Sequence, residues 1–217
     1  SKVETIPAVV AAQPDYMGLV FASSKRQVTV AQAKILVSEL HKQYANRYNR
    51  DVIQWSNDVV QEFIKTVGVF VNETLENLVT IATEVNLDAV QLHGDEDEAF
   101  IQSLKERTNV EVWKAVQIRS AADAEAWIDS STDMLLFDAY HKDERGGTGE
   151  VFDWSCLDEF ERPFMLAGGI DSTNVARAIR TVRPYGIDIS SGIETEGVKD
   201  DEKIKAFTNI VRTIAMP

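Results

Sequence analysis

The stretch FMLAGGIDSTNVARAIRTV, residues 164–182, contains the unit from which the whole chain is built. A short apolar run, FMLAGGI, ends in two glycines, and TNVARAIRTV follows with the spacing of an amphipathic helix. Short apolar runs that alternate with such helices are typical of a parallel sheet covered by helices. The stretch therefore predicts a strand, a tight turn and a helix.

The same pattern recurs along the chain. We predict strands at 17–22, 66–72, 89–94, 112–118, 134–140, 164–170 and 187–192, and helices at 30–40, 74–85, 97–108, 121–128, 173–182 and 201–214. A helix-like segment, 3–12, precedes the first strand, and 41–63 continues the first long helix or forms a second one. No long linker divides the chain, so we expect residues 1–217 to form a single domain.

Composition excludes several classes of function. The formal net charge of −13 argues against broad nucleic-acid binding, which needs a basic face, but it leaves room for a small anionic ligand. No apolar run is long enough to span a membrane. A single cysteine, Cys156, cannot form an internal disulfide and suits a reducing cytosol, so we expect a cytoplasmic protein. Because Cys156 lies away from the strand ends, we expect it to be a buried small hydrophobe.

The chain shows no pattern for a metal or a nucleotide cofactor. It has three histidines and neither a CxxC nor an HExxH motif, so a metal site is not expected. Its glycine-rich turns do not have the spacing of a P-loop or a dinucleotide fingerprint. We expect no cofactor.

Candidate functional residues stand at strand ends: Phe21, Ala22, His93, Lys114, Asp138, Gly168, Gly169, Ser190, Ser191 and Gly192. In a (β/α)8 barrel these residues converge on one mouth, whereas in an open doubly wound sheet they spread along one edge. Glycine-rich turns after the last two strands favour the barrel, which commonly binds phosphate there.

Three turns have the composition of an anion site. They are G-G-T-G at 146–149, with Gly147 and Thr148, A-G-G-I at 167–170 and S-S-G at 190–192. Glycines let backbone N–H groups approach an anion, and a helix N-terminus favours negative charge. Each turn taken alone is equally a tight or flexible connection.

Three side chains are candidates for chemistry or binding. Asp138 interrupts an apolar strand end, where desolvation favours the neutral carboxyl that a general acid needs; the alternative is a carboxylate that accepts hydrogen bonds from loop amides. His93 binds substrate or is a structural histidine. Arg26 pairs with a ligand carboxylate or phosphate, or is a surface residue.

Several motifs together resemble the phosphoribosylanthranilate isomerases of tryptophan biosynthesis. They are QLHGDE (91–96), GGTGEVFDW (146–154), AGGI (167–170) and DISSGIET (188–195), and further similar segments span nearly all of the chain. The resemblance implies a TIM barrel that converts N-(5-phosphoribosyl)anthranilate by an Amadori rearrangement. It also implies that Asp138 is the general acid, that Arg26 holds the anthranilate carboxylate and that amides of the three turns bind the phosphate.

The sequence departs from the family at one point. The family's base is a cysteine in a K-x-C-G segment on the first strand, and this sequence has no such segment. Seven strands are predicted where the barrel needs eight, so we expect the first strand to be missing from this sequence. Alternatives are another phosphosugar barrel, or a barrel that binds its ligand without turnover. The expected partner is a small phosphorylated substrate, with neither nucleic acid nor membrane, and the protein is a monomer or a weak homodimer.

Overall fold

Parallel strands, each paired with the next along the chain, form the central sheet. The computed structural model describes residues 2–47, 63–139 and 154–214. The strands are β1 Tyr16–Val20, β2 Lys65–Phe70, β3 Ala89–Leu92, β4 Glu111–Ile118, β5 Met134–Ala139, β6 Phe164–Ala167 and β7 Gly186–Ile187. Their spatial order is β1 to β7, so β1 and β7 are the edges of this sheet within the described residues. The sheet and its helices confirm the predicted barrel-type α/β fold.

Helices alternate with the strands and cover the sheet from outside. They are α1 Ile6–Ala12, α2 Val30–Arg47, α3 Leu75–Val85, α4 Glu98–Arg107, α5 Ala121–Glu125, α6 Val175–Val182 and α7 Asp201–Thr213. Side-chain caps fix where several of them begin: the Thr74 hydroxyl accepts from the Asn77 amide, and the Asp97 carboxylate accepts from the Phe100 amide. No described helix is both long and apolar enough to cross a membrane.

Some predicted boundaries are confirmed and others are wrong. The segment 3–12 is helical, and α2 continues past residue 40 to Arg47, as one of the two readings predicted. The last predicted strand, 187–192, is shorter, because the chain leaves the sheet after Ile187 and forms a 3-10 turn at Ser191–Ile193. A small antiparallel hairpin follows, with strands β8 Glu194–Thr195 and β9 Val198–Lys199.

Alternate residues of each strand face opposite sides of the sheet. One set forms an inner cluster: Val67, Ala89, Trp113, Ala115, Leu136, Met165 and Ala167. The other set packs against the helices and includes Leu19, Phe70, Leu92, Val112, Val116, Phe137 and Leu166. This alternation decides which side chains near a strand's carboxyl end point into the sheet's interior.

Candidate active site at the carboxyl ends of the strands

The carboxyl ends of β1 to β7 and the loops that follow them form one end of the curled sheet, here called the mouth. Asp138 is the inward-facing residue that follows Leu136 of the inner cluster on β5. His93 follows β3, where its amide donates to the Phe70 carbonyl at 2.8 Å. The His93 Nε2 atom lies 3.5 Å from Asp138 Oδ2, and both side chains remain about one-third exposed, at 33% and 30%. The mouth thus brings together two of the predicted site residues.

Gln91 holds the imidazole ring of His93 in place. Its side chain lies on the inner face of β3 and is buried, and its Nε2 is 3.0 Å from His93 Nδ1. This contact fixes the orientation of the imidazole ring and leaves Nε2 directed at Asp138.

Asp188 adds a second carboxylate to the mouth, directly after β7. The surrounding protein raises the pKa of Asp188 above its ordinary value by displacing water, and the Asp138 carboxylate raises it further, while Lys199 and His93 oppose the shift. The surface of Asp188 still reaches water. Removal of water is therefore incomplete, and the contact with water moderates this upward shift of the pKa.

Arg26 is held by an ion pair that joins the two edges of the sheet. Its Nε donates to Glu194 Oε1 at 2.7 Å, and Lys199 Nζ lies 3.2 Å from the same oxygen. The Glu194 side chain is only 6% exposed. The hydrogen bond from Arg26, followed by that from Lys199, lowers the pKa of Glu194, whereas burial lowers the pKa of Lys199.

The predicted A-G-G-I and S-S-G turns pack directly against each other. Gly168 and Gly169 both have positive φ, 83° and 60°, which favours glycine. A Cβ on Gly192 would lie 2.4 Å from the Ile170 carbonyl oxygen, so no other residue fits there without movement. In the part of the chain that the structure describes, the amides of Gly168 and Gly169 donate no hydrogen bond. They are available to an anion.

Side-chain hydrogen bonds just before the following helix stabilise the first of these turns. The Asp171 carboxylate accepts hydrogen bonds from the amides of Thr173 and Asn174, at 2.7 and 3.2 Å. The Asn174 side chain donates to the Gly169 carbonyl at 2.8 Å. The hydrogen bond to the Gly169 carbonyl thus holds the backbone of the A-G-G-I turn in place.

Lys114 is a strand-end candidate that the structure does not bring to the mouth. It alternates with inward-facing Trp113 and Ala115, so its side chain points to the helix layer. There its Nζ pairs with Glu96 Oε2 at 3.2 Å and donates to the Gly94 carbonyl at 2.5 Å. Both side chains of the pair are almost fully buried, at 4% and 3% exposure. Lys114 is a structural ion-pair residue because strand alternation places it on the outer face.

Other expectations fall away from the mouth or outside the described residues. The G-G-T-G turn, with Gly147 and Thr148, lies outside the described residues. Cys156 is half-buried in the 3-10 turn Trp154–Leu157 and packs against the outer core. Across the three described ranges, no group of three His, Cys, Asp or Glu side chains is arranged to hold a metal ion.

A hollow of about 780 Å³ lies between α4 and the segment after α5. Its lining is strongly acidic and includes Asp95, Asp97, Glu98, Glu125 and Asp129. Neither glycine turn contributes to it, and an acidic wall repels a phosphorylated ligand. The inward-facing part of the mouth around Asp138 and His93, and not this hollow, is the candidate active site.

Sequence analysis did not single out Gln91, Asp188, Glu194 or Lys199 as site residues. A signal for Asp188 was present, because an acid interrupts the apolar strand end in G-I-D-I in the same way as Asp138 does in L-F-D-A. Glu194 and Lys199 gave no comparable signal, since each follows β7 in a polar hairpin.

Comparison with known proteins points to one family. A family model described as N-(5'phosphoribosyl)anthranilate (PRA) isomerase matches residues 41–210. An N-(5'-phosphoribosyl)anthranilate isomerase from Thermoanaerobacter sp. (strain X514) is 45% identical over 204 residues, 93% of this chain and 89% of the relative. The crystal structure of phosphoribosyl anthranilate isomerase from Thermotoga maritima has a TM-score of 0.79 and 32% identity, covering 98% of this chain and 95% of that one.

One similar crystal structure contains a ligand. It is a phosphoribosyl anthranilate isomerase in complex with reduced 1-(o-carboxyphenylamino)-1-deoxyribulose 5-phosphate. Its TM-score is 0.76 at 29% identity, and the match covers 98% of this chain and 95% of the other.

Proposed function

Because this chain belongs to the N-(5'-phosphoribosyl)anthranilate isomerase family, we propose that it catalyses the Amadori rearrangement of N-(5-phosphoribosyl)anthranilate. The product is 1-(2-carboxyphenylamino)-1-deoxyribulose 5-phosphate. The observation that carries the proposal is the meeting of Asp138 and His93 at 3.5 Å in a mouth that also contains two adjoining glycine turns.

The reaction needs an acid and a base in turn. Asp138 donates a proton to the ribose ring oxygen as the bond from C1′ to that oxygen breaks, which leaves a protonated Schiff base. A base then removes the C2′ proton, giving an enolamine. Transfer of a proton to C1′ and loss of the C2′ hydroxyl proton yield the ketone. His93 faces Asp138 through its Nε2 atom and orients the carboxyl.

The base is not assigned to a residue of this sequence. The family's K-x-C-G segment is absent from it, and Cys156 packs against the outer core. Turnover therefore distinguishes two candidates: an isomerase, and a barrel that binds the phosphorylated ligand without converting it.

Substrate binding divides among three parts of the mouth. Arg26 holds the anthranilate carboxylate, and His93 contacts the substrate beside the acid. The phosphate takes hydrogen bonds from the turns, through Gly168, Gly169, Ser190, Ser191 and Gly192 together with Gly147 and Thr148. The free amides of Gly168 and Gly169 in the described part of the chain support this placement, because backbone N–H groups ahead of a helix N-terminus bind anions.

The proposed partners are limited to the small phosphorylated substrate. We expect a monomer or a weak homodimer, and a reducing cytosol suits the single cysteine. Sedimentation velocity over a range of concentrations tests the oligomeric state, because a weak dimer dissociates on dilution.

The direct test follows the loss of anthranilate-type fluorescence after freshly made phosphoribosylanthranilate is added. The Asp138→Asn variant should lose turnover by about 10²- to 10⁴-fold, the range of general acid–base catalysis, while ligand binding persists. Asp158→Asn is the matched control, because Asp158 is an exposed carboxylate outside the mouth. Full turnover by the Asp138→Asn variant would show that Asp138 is not the general acid. No turnover by folded wild-type protein that binds the ligand would favour the binding-only candidate.

A further inference from the structure

The ion pair between Arg26 and Glu194 uses one defined edge of the guanidinium. Only Nε of Arg26 bonds to Glu194, and among the described residues Nη1 and Nη2 have no hydrogen-bond partner. A guanidinium presents donors in a planar fork, so one edge can bind a protein carboxylate while another binds a carboxylate of the ligand.

Glu194 is itself held firmly. Its carboxylate oxygen Oε1 also contacts Lys199, and its backbone carbonyl accepts from Lys203 Nζ at 2.7 Å. Lys199 donates in addition to the Ser190 carbonyl at 2.7 Å. A nearly buried carboxylate that is paired with Lys199, on a backbone bound by Lys203, provides a rigid support for a long arginine side chain.

The contact also crosses the open side of the sheet. Arg26 follows β1 and Glu194 follows β7, and these are the two edge strands in the described part of the chain. No strand pairing joins those edges there. The ion pair therefore joins the loop that follows β1 to the hairpin that follows β7.

From these contacts we infer that Glu194 is a positioning residue for substrate recognition. It binds Nε of Arg26 and thereby directs Nη1 and Nη2 toward the carboxylate of the anthranilate ring. Lys199 contacts the same carboxylate oxygen and ties Glu194 to the S-S-G turn through the Ser190 carbonyl. This inference rests on the proposed function, since it assigns Arg26 to the substrate carboxylate.

The test compares two ligands that differ only in that carboxylate. One is reduced 1-(2-carboxyphenylamino)-1-deoxyribulose 5-phosphate. The other is the same compound with an unsubstituted phenyl ring instead of the 2-carboxyphenyl ring. For the first ligand, Glu194→Gln should weaken binding by about 10-fold, the scale of losing the orientation of one flexible side chain. Binding of the phenyl ligand should be unchanged. Calorimetry gives both dissociation constants without needing turnover.

A double variant and a control complete the design. Arg26→Met removes the fork, so adding Glu194→Gln to it should cause no further loss, because the second residue acts through the first. Glu196→Gln makes the same charge change in the same hairpin, at an exposed side chain with no bonded partner among the described residues, and should leave both affinities unchanged.

Each other result would overturn the inference in a distinguishable way. Equal weakening for both ligands would mean that Glu194 only maintains the shape of the mouth. Tighter binding of the carboxylate ligand by the variant would mean that Glu194 competes with it for Arg26. Failure of wild-type protein to bind either ligand would instead overturn the proposed function itself.

Discussion

The imidazole of His93 lies 3.5 Å from the carboxylate of Asp138, although β4 separates their strands in the sheet. In a flat sheet, strands two places apart lie roughly 10 Å from each other. The inner faces of β3 and β5 must therefore turn toward each other, as they do when a sheet curls into a barrel. Curvature is what makes these two residues one site.

Replacement of His93 tests its orienting role. His93→Asn should lower kcat about 10-fold, equivalent to about 1.4 kcal/mol of lost orientation of the Asp138 carboxyl. The measurement is steady-state turnover of freshly made phosphoribosylanthranilate. A loss as large as that of Asp138→Asn would instead make the imidazole a proton-transfer group.

The ionised side chain of Asp188 should lower the stability of the folded protein at neutral pH. Its pKa is raised in the folded protein, so ionisation favours the unfolded chain and stability falls as the pH rises through the ordinary value of 3.8 toward the folded value. Asp188→Asn should therefore raise Tm at pH 7, and this advantage should vanish below about pH 3.8, where both states bind the proton.

Thermal unfolding of wild type and Asp188→Asn from about pH 3 to about pH 8 measures this difference in Tm, because the range begins below the ordinary carboxyl pKa. Asp158→Asn, at an exposed carboxylate, is the control and should show no such pH-dependent gain. An Asp188→Asn variant less stable than wild type at pH 7 would contradict the prediction.

Lys114 should matter for stability and not for binding. Lys114→Met leaves the carboxylate of Glu96 buried without its cation, which costs roughly 3–5 kcal/mol in comparable pairs. Urea denaturation measures this loss. Affinity of the folded protein for the reduced product analogue should stay unchanged, because the side chain faces the helix layer. Weaker ligand binding without a loss of stability would instead show that Lys114 contributes to ligand binding at the mouth.

Gly192 should be required for the contact between the two phosphate turns. A Cβ there meets the Ile170 carbonyl oxygen at 2.4 Å, so Gly192→Ala must push the turns apart at a cost of about 1–3 kcal/mol. The reduced product analogue should bind more weakly. Gly18→Ala is the comparison, because its Cβ would meet nothing within 4 Å. Equal effects of the two substitutions would show that the turn contact is unimportant.

The sequence by itself determined the repeating architecture and part of the site. Apolar runs that alternate with amphipathic helices place parallel strands in order, and an acid at the end of an apolar strand marks Asp138. These features are local: hydrophobic periodicity and glycine turns act within one strand–helix unit. The resemblance of QLHGDE and DISSGIET to one family is a property of the same short segments.

Only the tertiary structure decided which side chains share the mouth. Lys114 and Asp138 both looked like strand-end residues, yet strand alternation turns Lys114 outward and Asp138 inward. Arg26 and Glu194 are 168 positions apart and meet only because β1 and β7 approach each other across the curled sheet. The reason is physical: strand direction and helix pattern are encoded locally, whereas sheet curvature and long-range ion pairs arise when all the units pack together.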